Sequence, residues 1–287
     1  MKIPYLVADF GIGLILGKLT GSKKVFYFWL LNPLSFYLIY ILGNFDVVVA
    51  LTSLLAFFLI ERKKDSWGFL VLGLGVALKL YPVLFLPFFI WRSKKNWLKN
   101  LIYLGLIPIL SIIPWIRSKE FWEAFSGSGL TQKLLELRVW SVPVFLVGYL
   151  IILVRQMLDP KISLASLIFY LGLLFVSTVH FHPQWLLWFY PWVILAIYNK
   201  KQLWLPAGLL ALGLIKIIML FDDQFLSWGH LVPVDGEFAL LTTPYNLLRL
   251  RFLLNPGGIQ DKVFWIIRLL SLIILGLNEK SRLSADN

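Results

Sequence analysis

"WGFLVLGLGVALKLYPVLFLPFFIW", residues 67–91, carries a single charge, Lys79, in an otherwise apolar run. Both flanks are basic: Arg62, Lys63 and Lys64 before it, and Arg92, Lys94, Lys95 and Lys99 after it. A lysine in lipid is costly, so an intramembrane lysine is a functional-site hypothesis unless it snorkels to the headgroups. Positive clusters favour the cytoplasmic side, and a single crossing would export one of the two. A hairpin keeps both inside. Residues 67–78 rise, "KLYP" forms the apex and 83–91 return. Twelve helical residues climb about 18 Å, beyond mid-bilayer. Pro82 cannot continue the helical hydrogen bonds and biases Tyr81 away from helix. Non-helical backbone at that depth is tolerated only inside protein or beside a water-filled cavity, so Lys79 is expected to line an outward-facing cavity. The alternative, one tilted helix, loses on charge.

Composition widens the reading. The 287 residues are 59% hydrophobic and 15% charged, with mean hydropathy +0.81. Soluble domains run about 45–50% apolar and 25% charged, so this is an all-α, polytopic membrane protein. The net charge of +12 fits positive-inside loops. It does not indicate nucleic acid, because no long soluble stretch exists to hold such a domain. The absence of cysteine excludes disulfides, Cys-ligated zinc, iron–sulfur clusters and thiol nucleophiles. Three histidines argue against a His-rich metal site, and no cofactor is indicated; a divalent cation stays open. "MKIPYLVADFGIGLILGKL" (1–19) carries Asp9 in its apolar run and lacks a small-residue cleavage site, so it reads as a membrane helix with a buried carboxylate.

Segments long enough to span fall at 3–19, 25–43, 46–60, 100–116, 141–157, 162–179, 185–198, 203–221 and 263–277. The expectation is therefore about nine spanning helices plus the broken re-entrant hairpin of 67–91. These form one transmembrane domain over 1–277, with a short cytoplasmic tail at 278–287. "GNFD" (43–46), the loops around 117–140 and 222–261, and "HFHPQW" (180–185) then share the non-cytoplasmic face.

Asn44 and Asp46 stand where one helix ends and the next begins, and capping alone accounts for one of them. A carboxylate, a carboxamide and the Lys79 ammonium on one cavity suit a sugar plus a phosphate. Glu120 and Glu123 in "SKEFWEAFSGSG" lie one helical turn apart; an amphipathic interfacial segment explains them better than catalysis does. Arg249 and Arg251 read as lipid-phosphate or snorkelling groups, Arg268 as a charge in need of a partner, and Asp222–Asp223 as a loop pair. His180 and His182 read as interfacial imidazoles at a helix start.

The block from "FWLLNPLSF" to "KLYPVLFLPFF" resembles the catalytic subunit of GPI mannosyltransferase I and its prokaryotic relatives. These are polyprenyl-phosphate-sugar-dependent glycosyltransferases of the GT-C class. The resemblance rests on Asn32, Pro33 and Leu34; Gly43, Asn44 and Asp46; Lys79, Tyr81, Pro82 and Val83; and Leu86 and Pro87. The Asp9 helix and "HFHPQWLLWFYPWVIL" extend it more weakly over residues 1 to about 195. In this family the catalytic acidic motif lies in the first external loop, ahead of the Asp-bearing helix where this sequence starts. The expectation is accordingly a shortened reading frame, a split enzyme completed by a separate polypeptide, or an inactive derivative.

The resemblance implies a GT-C-like bundle. It also implies transfer of a hexose, most simply mannose, from a polyprenyl-phosphate sugar to a lipid-linked or glycan acceptor at the non-cytoplasmic face. The setting is a multi-pass protein of the cell membrane, or of the endoplasmic reticulum in a eukaryote, with membrane lipids around it. Lys79 and Tyr81 are expected to bind the donor phosphate. Asn44, Asp46, Asp9, His182 and Gln184 are expected to bind the sugar or support the pocket, and the base stays unassigned, with Glu120 and Glu123 as stand-ins. A transporter or flippase for an anionic lipid or solute is the competing class, since transporters also build midplane sites on broken helices. An inactive partner subunit is a third.

Overall fold

A computed structural model describes residues 3–93, 96–126, 134–135, 137–159, 161–179, 183–198 and 232–242. Expected spans 203–221 and 263–277, together with His180, His182, Asp222–Asp223, Arg249, Arg251 and Arg268, lie outside the described residues.

Eleven α-helices carry the described chain. Helix α1 (Ile3–Thr20) stops at Gly21, whose φ of +65° is open to glycine. The Ser22 N–H then closes back on the Gly17 carbonyl at 3.1 Å, a Schellman ending. The expected 25–43 span is not one helix. Helix α2 (Lys23–Leu30) ends, Asn32 caps the Leu34 N–H through its side chain at 2.9 Å, and Pro33 opens α3 (Pro33–Phe36), which runs on as a π-helical turn (Tyr37–Ile41). Pro33 has no N–H to continue α2, but its fixed φ suits a first helical turn, so the break follows from local chemistry.

Helix α4 (Asp46–Glu61) runs antiparallel to α5 (Asp65–Leu78): Gly75 faces Thr52, and Gly68 faces Ala56 and Ile60. On its other side α5 lies directly on α7 (Trp97–Ile112). A Cβ at Gly73 would stand 2.2 Å from the Leu104 carbonyl oxygen, so only glycine permits that approach.

After α5 the backbone turns extended at Lys79 (φ −159°, ψ 137°), forms a 3-10 turn over Tyr81–Phe85, and returns as α6 (Leu86–Arg92). The return reaches the level where α5 began. Ser93 hydrogen-bonds Asp65, and Arg92 pairs with Glu61 at 3.0 Å. The segment is a hairpin with Lys79 at its far end.

Helix α8 (Lys119–Ser126) follows α7, and a small hairpin pairs Arg138–Val139 with Val142–Pro143. Helices α9 (Val144–Leu158), α10 (Leu164–Thr178) and α11 (Leu186–Tyr198) complete the described bundle. Helix α9 runs beside the hairpin's return leg and satisfies its backbone. The Tyr149 hydroxyl donates to the Leu84 carbonyl (2.8 Å), and Gln156 Nε2 donates to the Phe88 carbonyl (3.2 Å). A broken helix in an apolar surrounding requires such donors.

Helix α10 is buried on nearly every side, as a helix apolar all round must be. By contrast α7 exposes Ile102, Leu106, Ile109, Leu110 and Ile113, and α9 exposes Leu150, Ile151, Val154 and Met157. Contiguous apolar surface on this scale is what a bilayer covers. Two stretches, Ile3–Thr20 and Trp97–Trp115, are long and apolar enough to cross a membrane by length and composition. Helices α4, α5, α9, α10 and α11 run 13 to 16 residues, short of the roughly 20 an unaided crossing needs. By length and composition alone, two helices among the described residues qualify as crossings.

Candidate functional site

The apex of the hairpin brings Lys79 to the first residue of α4. Lys79 Nζ donates to Asp46 Oδ1 at 2.7 Å and to Oδ2 at 3.0 Å. Asp46 is 0% exposed, whereas the Lys79 side chain keeps 28% of its surface open. An ammonium has three N–H groups, and this one makes two contacts to Asp46. The cation also lies 5.2 Å from the Phe45 ring centroid and 5.3 Å from that of Trp188. Asn44 reaches the pair through the backbone, its Oδ1 accepting the Asp46 N–H at 3.1 Å. That is an Asx turn one residue ahead of the N-cap, Phe45, which itself makes no side-chain cap bond, and it leaves the Asp46 carboxylate for Lys79.

A partner from far along the chain completes the arrangement. Trp188 on α11 donates its indole N–H to Asp46 Oδ1 at 3.0 Å. Its ring stacks on Tyr81, with centroids 3.9 Å apart and planes 7° from parallel. Tyr81 is 0% exposed, enclosed beneath the stacked Trp188 ring. Its hydroxyl is buried without a hydrogen-bond partner among the described residues.

Asp9 belongs to a second network. Trp29 Nε1 donates to its Oδ1 at 2.7 Å, and the Tyr40 hydroxyl donates to its Oδ2 at 2.8 Å. Asn32 Nδ2 hydrogen-bonds the Tyr190 hydroxyl, and the Trp29 and Tyr190 rings lie 5.9 Å apart. Asp9 thus ties α1 to α2 and the π turn. The two networks share α11, through Trp188 on one side and Tyr190 on the other. Gln184 lies in the 3-10 turn Pro183–Trp185 just ahead of α11, half-buried and four residues before Trp188.

Glu120 and Glu123 are not brought to this site. They sit on exposed α8, where Ser118 Oγ donates to Glu120 at 2.8 Å and Lys119 pairs with Glu123 at 3.4 Å. Glu120 is held below the usual carboxylate range by its own backbone N–H and the Ser118 hydroxyl. That is the wrong direction for a general base, which works best with a pKa near the operating pH. Phe121, Trp122 and Phe125 cluster together, as the amphipathic interfacial reading of this segment expects. Among the described residues, no group of three or more His, Asp or Glu side chains is placed to hold a metal ion.

Sequence reasoning missed Trp188, Trp29, Tyr40 and Tyr190. The dense aromatic run "WLLWFYPW" at 185–192 was the available signal, but it does not reveal which indole faces a carboxylate.

Chemically, the site offers a partly open ammonium held at a fixed place by a buried, doubly supported carboxylate. The model of glycosyltransferase family 87 matches residues 12–220. GPI mannosyltransferase 1 of Schizosaccharomyces pombe (strain 972 / ATCC 24843) is 29% identical over 104 residues, 33% of this chain and 28% of that protein. The match therefore spans less than a third of that relative's length. No solved structure matches the chain.

Proposed function

The chain belongs to glycosyltransferase family 87, and on that premise we propose that it acts as a multi-pass membrane hexosyltransferase, most simply a mannosyltransferase. It takes the sugar from a polyprenyl-phosphate donor and passes it to a lipid-linked or glycan acceptor at the non-cytoplasmic face. The observation that carries this reading is the partly open Lys79 ammonium paired with buried Asp46 at the apex of a hairpin. The hairpin's feet lie next to the basic clusters 62–64 and 92–99. Those feet face the cytoplasm and the apex faces outward.

In the reaction the acceptor hydroxyl oxygen attacks the anomeric carbon, and the bond from that carbon to the phosphate oxygen breaks. Polyprenyl phosphate leaves with the bonding electrons, and the hydroxyl proton passes to a base. The leaving group is already acidic, so no protein acid is needed. Lys79 stabilises the charge that grows on the departing phosphate, in a site of low dielectric where one preorganised donor counts for most. Asp46 accepts from both Lys79 and Trp188, so it holds the cation and is not the base. Asp9 is likewise committed to Trp29 and Tyr40. The base comes from outside the described site, and a separate polypeptide is one source for it.

The test is transfer in proteoliposomes by the chain in complemented form, with the base supplied, and with polyprenyl-phosphate mannose and a nucleotide-diphosphate mannose offered in parallel. Transfer from the lipid donor alone is expected. Transfer from the nucleotide sugar alone overturns the donor class, and preference for a polyprenyl-phosphate glucose overturns the mannosyl assignment.

A further inference from the structure

Among the described residues, buried indoles touch carboxylates twice, and the two cases differ. At Asp9 the donors are Trp29 and the Tyr40 hydroxyl, both neutral. At Asp46 the indole of Trp188 shares one oxygen, Oδ1, with the Lys79 ammonium: 3.0 Å from the indole nitrogen and 2.7 Å from Nζ. We propose that Trp188 is the positioning residue of the site, fixing where the Lys79 ammonium stands and hence where a phosphate is received. This rests on the phosphate-binding reading of Lys79 given above.

The argument starts from freedom. An aspartate has two rotatable side-chain bonds, and a lysine has four on a flexible stem. A bare ion pair between them can slide through many geometries. Asn44 fixes only the backbone of Asp46. The indole N–H fixes the carboxylate itself, because Trp188 is 1% exposed and packed against Trp185 and Phe175. With Oδ1 pinned, Lys79 meets both carboxylate oxygens at set positions, and its side chain stays 28% open.

The same ring binds the hairpin in a second way. It stacks on Tyr81, two residues past Lys79 on the return leg, and it lies within cation–π range of Lys79 itself. Trp188 is thus the group that touches α4, Lys79 and the return leg together. A purely packing tryptophan would fill the space without aiming its N–H at the carboxylate that holds the cation.

The experiment removes the N–H and keeps the shape. β-(3-Benzothienyl)alanine, isosteric with tryptophan but without the N–H, is installed at position 188 by amber suppression; Trp188→Phe is made alongside. Affinity for polyprenyl phosphate and for polyprenol, which lacks the phosphate, is measured on the full chain in lipid nanodiscs. A hydrogen bond to a charged group justifies an expected loss of about tenfold for polyprenyl phosphate, with polyprenol affinity unchanged. Adding Trp188→Phe to Lys79→Met is expected to lower affinity no further than Lys79→Met alone, because the indole acts through the lysine. The inference is overturned if the isostere binds polyprenyl phosphate as tightly as tryptophan does. Equal losses for the two lipids, or losses that multiply in the double variant, overturn it as well, since both mark a packing role. Unchanged affinity in Lys79→Met overturns the phosphate reading itself, and this inference with it.

Discussion

The Ser93 hydroxyl donates to the Asp65 carboxylate across 28 residues of sequence. Ser93 also accepts from Asn100 Nδ2 at 2.8 Å, and Ser93 and Asn100 are 5% and 2% exposed. Three helices, α5, α6 and α7, are knotted at the foot of the hairpin by one chain of polar contacts. The Glu61–Arg92 pair closes its exposed edge. An apex residue can hold a fixed place only if the base of its hairpin is clamped, so this knot supports Lys79 from the opposite end.

Replacing Asn100 with Leu removes a buried donor and leaves Ser93 with an unmet acceptor. The expected loss is about 1–3 kcal/mol of stability, read as a lowered unfolding temperature in detergent. An unchanged temperature would show that the knot is incidental.

Gly73→Val sets a branched side chain against the Leu104 carbonyl, where even a Cβ has 2.2 Å. Helices α5 and α7 must separate, at about 1–3 kcal/mol. The same unfolding measurement checks it, and Gly21→Ala serves as a comparison for turn strain without a clash, since nothing lies within 4 Å there.

Lys79→Met is expected to lower sugar transfer about 100- to 1,000-fold, as loss of one preorganised charge-stabilising donor does elsewhere, while the fold persists. Lys79→Arg keeps the charge but presents a planar fork in place of a compact ammonium, so it is expected to recover only part of the rate. Steady-state transfer with folded protein quantified separately decides this. Wild-type rates in Lys79→Met would make the residue a snorkelling lysine.

Asp46→Ala strips the buried partner from a cation that stays in place. Removing one partner from a fully buried pair costs about 3–5 kcal/mol; the open side of Lys79, 28% exposed, lets water offset part of that. A loss below that range, seen in thermal unfolding, is the expected result. Recovery of stability in the Asp46→Ala, Lys79→Met double variant would confirm that the unpaired charge was the cause.

Single cysteines in this cysteine-free chain report the topology. Lys64→Cys and Asn96→Cys, both at exposed positions flanking the hairpin, are expected to react with an impermeant maleimide from one side of the membrane, and Glu123→Cys from the other. Ser93 is too buried to serve. Labelling of positions 64 and 96 from opposite sides would remove the re-entrant arrangement.

The hairpin was legible before any coordinates because its causes are local or one-dimensional. Basic residues on both flanks set which side each end prefers, and Pro82 lacks the N–H that would carry α5 onward. The convergence of Asp46 and Lys79 was foreseeable on the same grounds: a buried cation in an apolar run needs a counter-charge, and an acidic residue at the far end of the neighbouring helix was within reach. The break inside 25–43 has its signal in the sequence at Asn32–Pro33, a capping side chain followed by a residue without an N–H, within a run whose apolar content reads as continuous. The remainder needed the fold. Trp188 stands 142 residues from Asp46, and no periodicity or spacing tells one indole in "WLLWFYPW" from the next. The stacking of Tyr81 on Trp188, the hydrogen bonds of Asp9 to Trp29 and Tyr40, and the supply of α9 side chains to the Leu84 and Phe88 carbonyls are likewise tertiary facts. Hydrophobicity and charge decide which side of a membrane a residue prefers, but a hydrogen bond is decided within a few tenths of an ångström, and only helix packing sets distances that finely.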